Sequence, residues 1–155
     1  MSIRRGDKAK GFTLPSKPGG PVDVGAHIGK KPVVLLFFPL AFSPVCTEEM
    51  CAMRDGWDDW ADLGAEVFGI SADSPFVTDK FRSELKIPFP ILSDFNKEIS
   101  SQYGALHEEL AGLKGVPKRA AFVIDASGAV IYDWVSDDPK VIPNLDEVRR
   151  AIKGA

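Results

Sequence analysis

Val33-Val34-Leu35-Leu36-Phe37-Phe38-Pro39-Leu40-Ala41-Phe42-Ser43-Pro44-Val45-Cys46-Thr47-Glu48-Glu49-Met50-Cys51 is the stretch on which the reading of this chain turns. Its first six residues are continuously apolar, the pattern of a strand covered on both faces. A helix is expected from about Pro44 to Leu63, with Pro44 tolerated in the first turn and Gly64 as its stop. Cys46 therefore falls where a strand hands over to a helix N-terminus, and free N–H groups and the helix dipole favour a thiolate there. The thiolate is the nucleophilic form of cysteine, so the chemistry is expected at this point.

Outward from that stretch the chain alternates strands and helices. Phe12-Thr13-Leu14 and Val22-Asp23-Val24 suit an N-terminal hairpin among Gly and Pro residues. Val67–Ile70 reads as a strand, Ser74-Pro75 opens a helix to about Leu85, Phe89–Leu92 is a short strand and Asn96–Tyr103 a short helix. Ala120–Ile124 and Val130–Val135 read as strands joined by the turn Asp125-Ala126-Ser127-Gly128, and Leu145–Lys153 as a closing helix. This order indicates an α/β domain: a mixed central sheet with helices on both faces and an N-terminal hairpin extension. It resembles the thioredoxin-like layout. No linker or repeat divides the 155 residues, so one domain over 1–155 is expected.

Composition narrows the function. Nineteen basic against 22 acidic side chains give a net charge of −3, the wrong sign for an electrostatic nucleic-acid binder. The longest apolar run, Val33 to Phe38, is far too short to span a bilayer. The charged N-terminus is followed by no apolar stretch, so no signal peptide is read and a cytoplasmic location is expected. In a reducing compartment a cysteine pair points to catalysis or metal binding before structure. His27 and His107 lie far from Cys46 and Cys51 in sequence, and two cysteines alone fall short of a structural zinc site. Neither metal nor other cofactor is expected.

At 100° per residue, Cys46, Met50, Met53, Trp57, Trp60 and Ala61 share one face of the expected helix. Cys51 falls about 140° away from Cys46, beside Thr47, Asp55, Asp58 and Asp62 on the wet face. Cysteine favours burial, so a thiol on an acidic stripe calls for a reason, although a tolerated surface thiol is the plain alternative. Five residues along an ideal helix separate two Cα atoms by roughly 8.7 Å. A disulfide needs roughly 7 Å or less. Any bond between Cys46 and Cys51 therefore requires the first helical turns to unwind. Phe76, Phe81, Phe89 and Phe95 are expected in the core, with Trp57 and Trp60. Asp133, Asp137 and Asp138 are expected to be solvated.

Pro39-x-x-x-Ser43-x-x-Cys46 resembles the peroxiredoxin active-site pattern Pro-x-x-x-Thr/Ser-x-x-Cys, with Ser for the commoner Thr at position 43. The Cys46-x-x-x-x-Cys51 spacing resembles the bacterioferritin-comigratory (PrxQ) group of that family. Pro39-Leu40-Ala41-Phe42-Ser43 and Leu92-Ser93-Asp94-Phe95 look closer to the AhpE-type group, so both subgroups stay open. With Arg119-Ala120-Ala121-Phe122-Val123-Ile124-Asp125 the likeness covers nearly the whole chain.

The resemblance implies a thiol peroxidase acting on hydrogen peroxide, organic hydroperoxides or peroxynitrite. Cys46 would attack the peroxide and become a sulfenic acid. A free thiol titrates near about 8.5, so a neighbouring cation is needed at neutral pH. Arg119 is the candidate, at the start of a strand expected antiparallel to Val33–Phe38, which brings it to the Cys46 end; a guanidinium does not deprotonate. Ser43 would hold the peroxide with its hydroxyl and cap the helix, although capping alone is the plain alternative. Pro39 would close the pocket without offering a competing N–H. Glu49 resembles the acid that aims the active-site Arg, although an acidic residue in a first turn also simply suits the dipole.

Cys51 would condense with the Cys46 sulfenic acid, and a thioredoxin- or glutaredoxin-like reductant would restore both thiols. A homodimer stays open. A one-cysteine cycle resolved by an external thiol is the nearest alternative. A thioredoxin-like disulfide oxidoreductase is another, but it would want Cys-x-x-Cys. A non-enzymatic binding module would leave its function intact after Cys46→Ser.

Overall fold

The computed structural model describes residues 2–154. In chain order the elements are β1 (Thr13–Lys17), β2 (Gly20–Asp23), β3 (Val33–Phe37), α1 (Pro44–Asp55), α2 (Trp57–Ala61), β4 (Glu66–Ser71), α3 (Pro75–Leu85) and β5 (Ile91–Ser93). There follow α4 (Glu98–Gln102), β6 (Glu109–Leu110), β7 (Leu113–Lys114), β8 (Arg119–Ile124), β9 (Val130–Ser136) and α5 (Leu145–Lys153). β1 and β2 form the expected N-terminal hairpin. The central sheet has the order β5-β4-β3-β8-β9. β3 pairs parallel with β4 and antiparallel with β8, so the sheet is mixed.

Every residue of β3 is buried, as its unbroken apolar run requires. Alternate residues serve opposite faces. Val34, Leu36 and Phe38 join Cys46, Met50 and Met53 of α1, Trp60 of α2, Phe81 of α3 and Val148 and Ile152 of α5 in one cluster. Val33, Leu35 and Phe37 join Phe122, Ile99 of α4, Tyr103 and Val24 on the other. Phe37, Tyr103 and Phe122 interlock there, with Phe122 edge-on to Phe37 at 5.7 Å and to Tyr103 at 5.0 Å between centroids. In β8 the same alternation gives Ala121 and Val123 to the α1 face. Arg119 shares their parity, which is why its side chain rises toward α1.

Several expectations need correction. The helix from Pro44 to Leu63 is two helices, because Gly56 leaves helical geometry at φ −99° and ψ 17°. Glycine lacks the side chain that would favour continuing the helix there. Ala61 is exposed as a result, and Trp57 is only half buried, against Phe89 at 5.4 Å. Gly64, at φ 69°, makes the left-handed turn into β4. β5 starts at Ile91, later than Phe89, and α4 is shorter than Asn96–Tyr103. Phe76 is 73% exposed and Phe95 61%, so neither belongs to the core, whereas Phe81 and Phe89 do. Phe95 stands just beyond the end of β5, where periodicity no longer governs direction, and Phe76 lies in the first turn of α3 on its outward side. Asp137 pairs with Lys118 at 2.6 Å and Asp133 accepts the Arg5 N–H at 2.7 Å, so neither is merely solvated. The small β6–β7 hairpin carried no readable strand pattern.

Phe122→Ala should cost about 3–5 kcal/mol by emptying the aromatic cluster. Urea denaturation measures it; a loss under about 1 kcal/mol would contradict the packing described.

Candidate active site

Cys46 is held by the turn that converts β3 into α1. Ser43 occupies the cap position in extended geometry and Pro44 opens the helix. The first helical bond runs from the Thr47 N–H to the Ser43 carbonyl at 2.9 Å. Pro44 has no N–H, and the amides of Val45 and Cys46 precede that bond, so the helix start presents donors beside the sulfur. The Ser43 hydroxyl does not cap the helix, contrary to expectation. It donates to the Leu40 carbonyl at 2.7 Å, bracing the turn, and its oxygen keeps free lone pairs.

Arg119 reaches this point from β8. Its Nη2 donates to Cys46 Sγ at 3.1 Å, and its Nη1 donates to Glu49 Oε1 at 2.7 Å. Nε and Nη2 also donate to the Pro139 carbonyl at 3.1 and 2.9 Å. Cys46, Glu49 and Arg119 are all buried. A guanidinium with five donors is pinned on three sides, so its direction toward sulfur is fixed without further ordering. Its charge is held firmly, with a pKa above the ordinary arginine value: burial opposes this, and the negative charges of Glu49 and Cys46 with their hydrogen bonds outweigh it.

Burial pushes the Glu49 carboxyl up to about 7, against the opposing charge and hydrogen bond of Arg119. Its second oxygen, Oε2, has no partner and is fully enclosed, which explains why the anion is costly there. Pro39 is buried and lines a small pocket of about 180 Å³ with Leu40, Ser43, Leu110, Arg119 and Pro139. A larger hollow of about 460 Å³, lined by Asp59, Asp146 and Arg149 among others, lies between α2 and α5 and includes none of the residues around Cys46.

Five of the six expected residues thus meet in one place: Cys46, Arg119, Glu49, Ser43 and Pro39. Cys51 stands apart on the same intact helix, a free thiol like Cys46. It is half covered rather than on an open wet face. Sequence reasoning missed the Pro139 carbonyl, for which a backbone acceptor leaves no side-chain signal, and Leu110, which lies in the unread β6–β7 hairpin. Among the described residues no group of three or more His, Cys, Asp or Glu side chains is placed to hold a metal, and no helix is long and apolar enough to cross a membrane.

A buried cysteine at a helix start, faced by a pinned guanidinium on a mixed sheet, defines a thiol-based redox enzyme. The sequence profile of the AhpC/TSA family matches residues 5–133, and the chain belongs to that family, the peroxiredoxins. It is 36% identical over 128 residues to the chloroplastic peroxiredoxin Q of Sedum lineare, covering 83% of this chain and 67% of that one. It is 34% identical over 163 residues to the chloroplastic 2-cysteine peroxiredoxin of Chattonella marina var. antiqua, covering 99% and 80%. Among solved structures, peroxidoxin BcpB of Mycobacterium tuberculosis superposes with a TM-score of 0.84 at 31% identity, over 98% of this chain and 97% of that one. The fold is thioredoxin-like and the activity is that of a thiol-dependent peroxidase.

The folded protein keeps the Glu49 proton to higher pH than the unfolded chain, whose carboxyl titrates near 4.5. Stability should therefore fall as pH climbs from 4.5 through about 7. Glu49→Gln keeps an oxygen toward Arg119 but cannot titrate, so its urea midpoint should decline less over that window. Equal declines in both proteins would contradict a raised Glu49.

Proposed function

We propose that Cys46 is the peroxide-attacking residue and Cys51 its resolving partner. The Cys46 thiolate attacks one oxygen of the O–O bond, giving Cys46–S–OH and releasing the other oxygen as an alcohol or water after protonation. Arg119 stabilises the sulfur anion and then the charge growing along the breaking bond. The observation that carries this reading is the 3.1 Å hydrogen bond from the buried Arg119 to Cys46 Sγ. Ser43, with free lone pairs and a hydroxyl at the pocket, orients the peroxide; Pro39 keeps competing N–H groups away. Glu49 aims the guanidinium and touches neither sulfur nor substrate.

Resolution then joins the Cys51 thiol to the sulfenic acid, forming the disulfide and expelling water. With both residues within the regular helix Pro44–Asp55, this step requires that its first turns open. Gly56 supports the reading, because it ends α1 early and leaves a short helix with less to unwind. A dithiol reductant of the thioredoxin or glutaredoxin type exchanges with the disulfide and returns both thiols, in a cytoplasmic setting where thiols are kept reduced. Hydrogen peroxide, organic hydroperoxides and peroxynitrite all fit the chemistry, and the apolar rim of Leu40, Leu110 and Pro139 favours accepting an alkyl group.

Mass spectrometry after one equivalent of hydrogen peroxide tests both roles. The wild-type protein should lose about two mass units, and Cys51→Ser should instead gain an oxygen at Cys46. A stable added oxygen on the wild type would contradict Cys51 as resolving residue; unmodified Cys46 would contradict the peroxide-attacking role.

A further inference from the structure

Parallel pairing sets Phe37 of β3 beside Ile70 of β4, so the loops leaving these strands run side by side. In the second loop Asp73 Oδ2 accepts the Ala41 N–H of the first at 2.8 Å. The same oxygen accepts the hydroxyl of the fully buried Ser71 at 2.8 Å. On the far side Ser93, opposite Ser71 in β5, donates its hydroxyl to the Asp73 carbonyl at 2.5 Å. Asp73 is gripped by two strands and itself grips one amide of the segment between Pro39 and Cys46.

That segment has something to release. Phe42 lies at φ 67°, in the left-handed region that bulky side chains avoid unless their surroundings impose it. Its ring is about half exposed and stands edge-on to Phe81 at 5.1 Å. One residue before it, the Asp73 carboxylate supplies a charge-assisted hydrogen bond to the backbone. Free that bond, and the turn that presents Ser43 and starts α1 is able to relax.

We infer that Asp73 is a positioning residue for the peroxidase reaction. By fixing Ala41 it keeps the Pro39–Ser43 turn and the first turn of α1 in the form where Cys46 meets Arg119. It thereby opposes the unwinding that must precede bonding to Cys51. The inference rests on the peroxidase reading of Cys46. Asp73 contacts neither the sulfur nor the guanidinium, and it acts through the backbone alone.

Two measurements on the full chain test this: amide hydrogen exchange in the reduced protein, and single-turnover oxidation of Cys46 by hydrogen peroxide. In Asp73→Ala, exchange over residues 41–49 should speed up by about tenfold or more and Cys46 oxidation should slow by about tenfold. Exchange in β8 and the urea midpoint should change little. Asp73→Asn, which keeps an oxygen for the Ala41 N–H, should restore both to near wild type. Should Asp73→Ala not fold, Ser71→Ala frees the carboxylate from its tether and carries the same expectation at about threefold. Unchanged exchange over 41–49 overturns the inference, as does an unchanged rate of Cys46 oxidation despite faster exchange, or an increase spread evenly over the chain. A wild-type Cys46 that ignores hydrogen peroxide contradicts the peroxidase reading instead, and the exchange result alone then decides whether Asp73 holds the turn.

Discussion

A guanidinium buried against a cysteine sulfur is the interaction on which this structure depends. Charged groups leave water at a cost that only good partners offset. Arg119 meets that cost with the Glu49 carboxyl, the Pro139 carbonyl and Cys46 Sγ, and it is placed as the first residue of β8, one position beyond the Phe37–Ala120 pair. Small residues at Ala120 and Ala121 leave the sheet uncrowded next to it. The apolar packing of α1 through Met50 and Met53 then sets the depth at which Cys46 sits. Sheet register, strand parity and helix packing thus converge on one contact between two side chains 73 residues apart.

The same helix that places Cys46 keeps it from Cys51. Attack on peroxide needs the first turn intact, with its free amides beside the sulfur, whereas a disulfide needs that turn undone. The two demands fall on one short segment bounded by the strained Phe42 and by Gly56. Asp73 bears on the balance from outside that segment, through a single backbone amide. With the proposed roles of Cys46 and Cys51, rate of capture and rate of resolution would be coupled through local stability rather than through the chemistry of either thiol.

Much of this was legible in the residues. β3 was readable because both its faces are apolar, and α5 matched its expected span, Leu145–Lys153, because Asn144 caps it and its apolar stripe is clean. Cys46, Arg119 and Glu49 were legible because their residue types and spacing resemble a known pattern, and parity along β8 explains why the arginine points the right way. The break at Gly56 was hidden by an apolar face that continues across it through Trp57 and Trp60. Phe95 misled because an aromatic in a loop carries no period to assign it a side, and Phe76 because it sits in the first turn of α3, off the face that buries Thr78 and Phe81. Pro139 and Ala41 act through backbone atoms, which side-chain chemistry does not announce, and Ser43 spends its hydroxyl on Leu40, an acceptor no cap rule selects.

The most direct test compares single-turnover oxidation of Cys46 by hydrogen peroxide in the wild type and in Arg119→Met, which keeps the bulk of the side chain but not its charge or donors. With Arg119 stabilising the sulfur anion and the breaking bond, the variant should react about 100-fold more slowly or worse while remaining folded. A folded Arg119→Met that oxidises within about threefold of the wild type would contradict the account at its centre.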